Sequence, residues 1–311
     1  MPLQLQLHQR LKQRNNLLLE KMKPRFAAVF FHRHIYHRHP MKNILGWGLL
    51  LISQLIFAQN PNSSPTKQAD IAMIKSLAPT GTLRVGINLG NPVLAGSIDQ
   101  SEPQPKGITI DIAKEIGKRV QLPVELISFQ SAGATVEALK ANQIDLIFVA
   151  IDPVRGADIS YTPAYIQIEG AYTVKSNSPL KSNDEVDIAG NEIVVGKGSA
   201  YDLYLTREIK QASLLRSINS QSVVDDFMNG KGNVAAGVKQ QLEADSKRYS
   251  NLRMLPGRFM VINQAIGIPK SRPELEKTNA YLSKLIQELK TSGFIANAMK
   301  RHGIEGARVA E

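Results

Sequence analysis

The sequence predicts an α/β fold of two lobes joined by two extended crossings, and three observations carry that reading. Short apolar runs alternate with stretches of helical periodicity from about residue 80 to the end of the chain. The alternation occurs in two sets, the second opening at Asn191. The chain leaves the first set at about 175 and returns at about 263, so two extended segments join the sets, as at a hinge.

Taken in order, "LRVGINL" (83–89) reads as a strand, and "TIDIAKEIGKRV" as a helix that places Ile112, Ile116 and Val120 on one face. A strand "PVELISF", a helix "GATVEALKAN", a strand "IDLIFVA" and a strand "GAYTVKS" (170–176) follow. The second set runs through "NEIVVGK" (191–197), a helix "AYDLYLTREIKQ", a strand "LLRSIN", a helix "SVVDDFMNG" and a strand "VAAGV". "LRMLPG" then leads to a crossing strand near "VINQAIGIP". A long amphipathic helix and a shorter one in "RPELEKTNAYLSKLIQELKTSGFIANAMKRHG" close the chain and are expected to pack on the first lobe. The expected division is 80–174 with 264–305 as lobe 1, and 175–263 as lobe 2.

The N-terminal stretch has a different character. Residues 1–40 hold eight Lys and Arg against one acid, Glu20, and five of the six histidines. From Met41, Lys42 precedes an apolar run from Ile44 to Ala58 and a polar Asn/Pro/Ser segment, the layout of a secretory signal peptide cleaved after Ala58. A membrane anchor is the alternative, but a run of fifteen residues is short of the roughly 20 that span a bilayer. On this reading 41–58 is the signal peptide, 59–79 a polar tether, and 1–40 upstream sequence that is not native to the secreted protein. The tract "HRHIYHRHP" offers clustered imidazoles for metal, without an ordered scaffold to set a geometry.

Charge and composition exclude several classes. With 1–40 and Lys42 set aside, 29 Lys and Arg face 26 Asp and Glu, a net charge near +3 where the whole chain has +11, so no basic footprint for nucleic acid remains. The absence of cysteine removes disulfides, thiolate metal sites, a cysteine nucleophile and a lipid-modified cysteine. His302 is the sole histidine after residue 40, which leaves almost nothing for a Ser-His-Asp triad or a histidine metal site. Neither a catalytic residue nor a cofactor nor a metal is expected.

Two stretches hold candidate binding groups. "GKGSAYD" (196–202) lacks the third glycine of a dinucleotide loop and the Lys-Ser/Thr of a P-loop. It offers a strand, a glycine turn and a helix start, with Ser199 and Asp202 spaced as a capping pair. That arrangement is either a helix cap alone or a place where the N–H groups of Ser199 and Ala200, with the Ser199 hydroxyl, hold a carboxylate. The second stretch is "IDLIFVAIDPVR", where an apolar run empties into a turn bearing Arg155, which by itself is either a solvated or salt-bridged side chain, the usual state of a lone arginine in a turn, or a guanidinium in a two-pronged grip on a carboxylate.

The ordered series "GTLRVGI", "GITIDIAKEIGKRVQLPVELISF", "VEALKANQIDLIFVA", Arg155, "ISYTPAY", "YTV", "VVGKGS" and the tail "LIQELKTSGFIANAMKRHG" closely resembles the family-3 extracellular solute-binding proteins of bacteria, the amino-acid-binding kind, over roughly 80–305. The resemblance implies a two-lobed periplasmic-binding-protein fold of type II with two hinge strands. It also implies a monomer in the periplasm that captures a small carboxylate-bearing solute by hinge closure and hands it to an inner-membrane ABC permease. A cyclohexadienyl-dehydratase-like enzyme on the same fold is the alternative, with Asp152 as its proton-transfer acid.

By resemblance, Arg155 clamps the ligand carboxylate, and Gly198 and Ser199 stand where a Gly-Thr pair completes that site. Asn88 and Asn91 follow the first strand, Asn91 where an aromatic residue is usual, and Ala132 takes the place of a second aromatic. The turn before Arg155 is about two residues short, which puts Ile151 or Asp152 in the place of a threonine. Val238 stands where an Asp usually pairs with the ligand ammonium, and Lys239 with Gln240 follows it. These departures suggest either a compensating acid or a ligand without an α-amino group.

Overall fold

The computed structural model describes residues 65–96 and 104–311, with the side chains of 65–69 left aside. The expected signal peptide and the upstream stretch lie outside the described residues. Part of the expected tether is instead a helix, α1 (Pro65–Leu77). Its Met73 and Leu77 are buried, and the Ser76 hydroxyl donates to the carbonyl of Pro273. Ile74 packs against the core beside them, and these few apolar contacts among the described side chains are too sparse to register as an amphipathic stripe.

The first half of the molecule contains β1 (Leu83–Asn88), α2 (Ile108–Val120), β2 (Val124–Phe129), α3 (Ala132–Lys140), β3 (Leu146–Ala150) and the short β4 (Ile159–Tyr161). β5 (Ile166–Lys175) leads into β6 (Glu192–Gly196), α4 (Ala200–Glu208), β7 (Ser213–Ser217), α5 (Val223–Met228), β8 (Val234–Val238), α6 (Lys239–Ser246) and β9 (Leu252–Met254). The chain returns through β10 (Met260–Pro269) to α7 (Leu275–Thr291), α8 (Phe294–Arg301) and β11 (Arg308–Val309).

The strands form one mixed sheet in the order β2-β1-β3-β10-β5-β8-β6-β7. β1 lies parallel to β2 and β3 in the first half, and β6 lies parallel to β7 and β8 in the second. β5 and β10 run antiparallel through the middle, from Ile166↔Gln264 to Gly170↔Met260. At Gly170 β5 passes from β10 to β8, where Gly170 also faces Val238. That handover comes ahead of the boundary expected near 175, because β5 begins at Ile166 and spends its first residues paired with β10.

Burial explains the sequence pattern. β3 has neighbours on both edges and helices over its faces, so all five of its residues are buried and its run is continuously apolar. Ile112, Ile116 and Val120 are buried on α2 as the helical spacing requires, each contributing about 1.5–3 kcal/mol of transfer free energy. At the start of β3 the buried Asp145 accepts from Nε and Nη2 of Arg84 at 3.0 and 2.8 Å and from Nη2 of Arg272 at 2.6 Å. This ties β1, β3 and the segment after β10 together beneath the site.

Candidate functional site

The C-terminal end of β3 opens toward the seam between the two halves of the sheet, as parallel α/β sheets present their strand ends to ligands. Past Ala150 the chain turns sharply. The Asp152 carboxylate accepts from the N–H of Val154 at 2.9 Å and of Arg155 at 3.2 Å, a side-chain-to-backbone closure suited to an Asp-Pro turn. The turn sends the Arg155 side chain back along the strand end. There Nη1 donates to the Ala150 carbonyl at 3.2 Å and Nη2 donates to the Gly198 carbonyl at 2.7 Å, on the opposite half.

Arg155 is 6% exposed, and burial pulls its pKa below the ordinary arginine value. Among the described residues it forms no ion pair, since the neighbouring acids are engaged elsewhere. Asp152 Oδ2 pairs with Arg207 at 2.9 Å, and Asp202 pairs with Arg216 at 3.0 Å while also accepting from the Gly198 N–H at 2.8 Å. The Tyr161 hydroxyl is pushed up to about 12, burial outweighing the attraction of Arg155, so it stays protonated and brings no negative charge. A desolvated guanidinium that meets only carbonyl dipoles is short of a counter-ion, a state an anion would relieve.

Arg155 lines a cavity between the two halves of the sheet. One side is built by Asn88 at the end of β1, Gly90 and Asn91 after it, Ser131 and Ala132 at the start of α3, and Val149 and Ala150 at the end of β3. The other is built by Lys197, Ser199, Ala200 and Tyr201 around the start of α4, Ser220 after β7 and Val238 at the end of β8. Ile262 and Gln264 of β10 complete it. Among the described residues that line the cavity there are two cations and no Asp or Glu.

The expected cap at α4 forms, and of the donors that the sequence offered to a carboxylate it uses the Ser199 N–H, while the Ser199 hydroxyl accepts and keeps its O–H. Ser199 Oγ accepts from the Asp202 N–H at 3.0 Å, the Ser199 N–H goes to the Gly196 carbonyl, and the Gly198 N–H goes to Asp202. The N–H groups of Ala200 and Tyr201 are left as first-turn donors beside the cavity. Gly198 has φ +70°, and a Cβ there would stand 3.2 Å from Gly133 Cα, so the two halves meet backbone to backbone at this point. Gln221 Nε2 donates to the Leu89 carbonyl at 2.9 Å as a further bridge.

Of the residues singled out in the sequence, Asn88, Asn91, Ala132, Arg155, Ser199, Ala200 and Val238 line this cavity, and Gly198 borders it through its bond to Arg155. Three stand elsewhere. Ile151 is 45% exposed at the start of the turn. Asp152 is buried in its own turn and paired with Arg207. Lys239 points to Glu169 at 3.4 Å, because it opens α6 after β8 has ended. Ile151, Asp152 and Lys239 thus lie outside the cavity lining. Lys197, Ser131, Ser220 and Gln264 were not anticipated. Lys197 lies inside the flagged "GKGS", whereas Ser220 and Gln264 reach the cavity through tertiary placement alone.

The model of the bacterial extracellular solute-binding proteins, family 3, matches residues 83–305 of the chain. No curated protein matches it in sequence. Among solved structures, a mutant of ArgBP from T. maritima is similar at 18% identity and TM-score 0.64, covering 75% of this chain and 100% of that one. The solute receptor for L-cysteine of Neisseria gonorrhoeae is similar at 20% identity and TM-score 0.64, covering 75% and 94%. An ancestral amino acid-binding protein described as a precursor of cyclohexadienyl dehydratase is similar at 17% identity and TM-score 0.62, covering 74% and 98%. At these identities the likeness is one of fold.

Proposed function

Since the chain belongs to the bacterial extracellular solute-binding proteins, family 3, we propose that it captures a small carboxylate-bearing solute in the Arg155 cavity, by closure of two lobes about β5 and β10, for an inner-membrane ABC permease. The carrying observation is Arg155 itself, a buried guanidinium without a carboxylate partner that reaches across the seam to Gly198. A ligand carboxylate would supply the missing charge through paired charge-assisted hydrogen bonds, and the free N–H of Ala200 would add a contact from the other lobe. Contacts from both lobes exist together only when the lobes are closed, so the ligand shifts the hinge equilibrium by its differential affinity for that form. The periplasm is the compartment that fits, with the N-terminal segment serving export and the protein working as a monomer.

The dehydratase-like alternative has less support. Asp152, the acid expected to serve it, is held by Arg207 and two backbone N–H groups outside the cavity lining. A thermal-shift panel of small carboxylic acids tests the capture reading. At least one acid is expected to raise the melting temperature and, in X-ray scattering, to hold the particle compact, whereas the absence of stabilisation by any carboxylate would overturn it.

A further inference from the structure

Resting on that reading, we propose that the captured solute is a small organic anion without an ammonium group: a hydroxy, keto or dicarboxylic acid in place of an α-amino acid. The cavity wall holds Arg155 and Lys197 and, among its described residues, no carboxylate. An ammonium placed there would be desolvated beside the buried Arg155 guanidinium, with the exposed Lys197 at the rim and no carboxylate among the described lining residues, and an uncompensated buried charge is strongly disfavoured.

Among the described residues, the surroundings do not supply the missing acid. Asp152 and Asp202 are committed to Arg207 and Arg216. Glu169, the acid near the end of β8, is shared by Arg258 at 2.5 Å and Lys239 at 3.4 Å. The wall at that end is apolar, with Val238 only 5% exposed. What remains for the rest of the solute is neutral: the hydroxyls of Ser131 and Ser220 and the amides of Asn91 and Gln264. Asn91 is 8% exposed and its Oδ1 is buried without a hydrogen-bond partner. A ligand hydroxyl satisfies such a group, since it accepts and donates without bringing a charge that needs compensation.

The test is calorimetric titration of the full chain with acids of matched skeleton, malate against aspartate, 2-hydroxyglutarate and 2-oxoglutarate against glutamate, and lactate and pyruvate against alanine. In the pair that binds best, the member without nitrogen is expected to bind at least tenfold more tightly. A Val238→Asp variant is expected to reverse that preference by giving an ammonium its partner. If an amino acid binds as tightly as its matched acid in the wild type, the inference is overturned while solute capture stands. If no member of any pair binds, the capture reading falls and this inference with it.

Discussion

Arg207 Nη1 and Asp152 Oδ2 stand 2.9 Å apart across the seam between the two halves of the sheet. The same Asp152 carboxylate closes the turn that aims Arg155 into the cavity. One side chain therefore both shapes the binding turn and ties it to the opposite lobe.

Substituting Asp152→Ala removes two backbone acceptor bonds and a partly buried ion pair, and is expected to destabilise the protein by about 1–3 kcal/mol. Arg207 is one-third exposed, so Arg207→Ala should cost less, about 0–1 kcal/mol, and should weaken ligand affinity by loosening the closed form. Urea unfolding of both variants checks the order. Equal and negligible effects would show that the bridge does not form in solution.

Gly198→Ala tests closure at its tightest point. The left-handed backbone at φ +70° costs an alanine about 1 kcal/mol, and the added Cβ presses on Gly133 Cα across the seam. The variant is expected to bind ligand at least tenfold more weakly and to give a larger radius of gyration in X-ray scattering with ligand present.

Asp187 gives a pH signature remote from the cavity. Its carboxylate accepts from the N–H of Ala212, Gln211 and Lys210, and these bonds, that to Ala212 foremost, hold its pKa below the usual aspartate value. A depressed folded pKa contributes stability that is present above the unfolded value near 3.9 and lost as pH falls through the folded one. Asp187→Asn should therefore flatten the dependence of stability on pH below about 4, in denaturant titrations at successive pH values, and leave the slope above pH 5 unchanged.

Periodicity carried much of the fold. The β3 run, the α2 face and "VAAGV", which is β8 residue for residue, were legible because burial on both sides, or on one helical face, writes itself into the order of apolar residues. α1 was not legible, since the contacts of its described side chains, Met73, Ile74, Leu77 and the Ser76 hydroxyl, depend on α7 being in place. The front of β5, "IQIE", alternates apolar and polar residues as a half-buried strand does, but four residues are a short run for a periodicity reading and the partner strand lies nearly a hundred residues away.

The site divides in the same way. Arg155 and Ser199 with Ala200 stand at turns that follow strands, where local sequence already signals an exposed strand end. Lys197 shares that signal. Ser220 and Gln264 carry none, and Arg207 lies on α4 more than fifty residues from the Asp152 it holds. The acid at Asp152 read as a ligand group because its own turn was visible and its partner was not.

The account depends most on Arg155 as the group that holds the solute's negative charge. Calorimetry on wild type and Arg155→Ala, using the acid that stabilises the wild type most, tests this directly. The predicted result is a loss of at least a hundredfold in affinity, corresponding to about 3–5 kcal/mol for removing one partner of a buried charge pair, with the unliganded variant still folded and no less stable. An unchanged affinity in a folded Arg155→Ala protein would contradict the account.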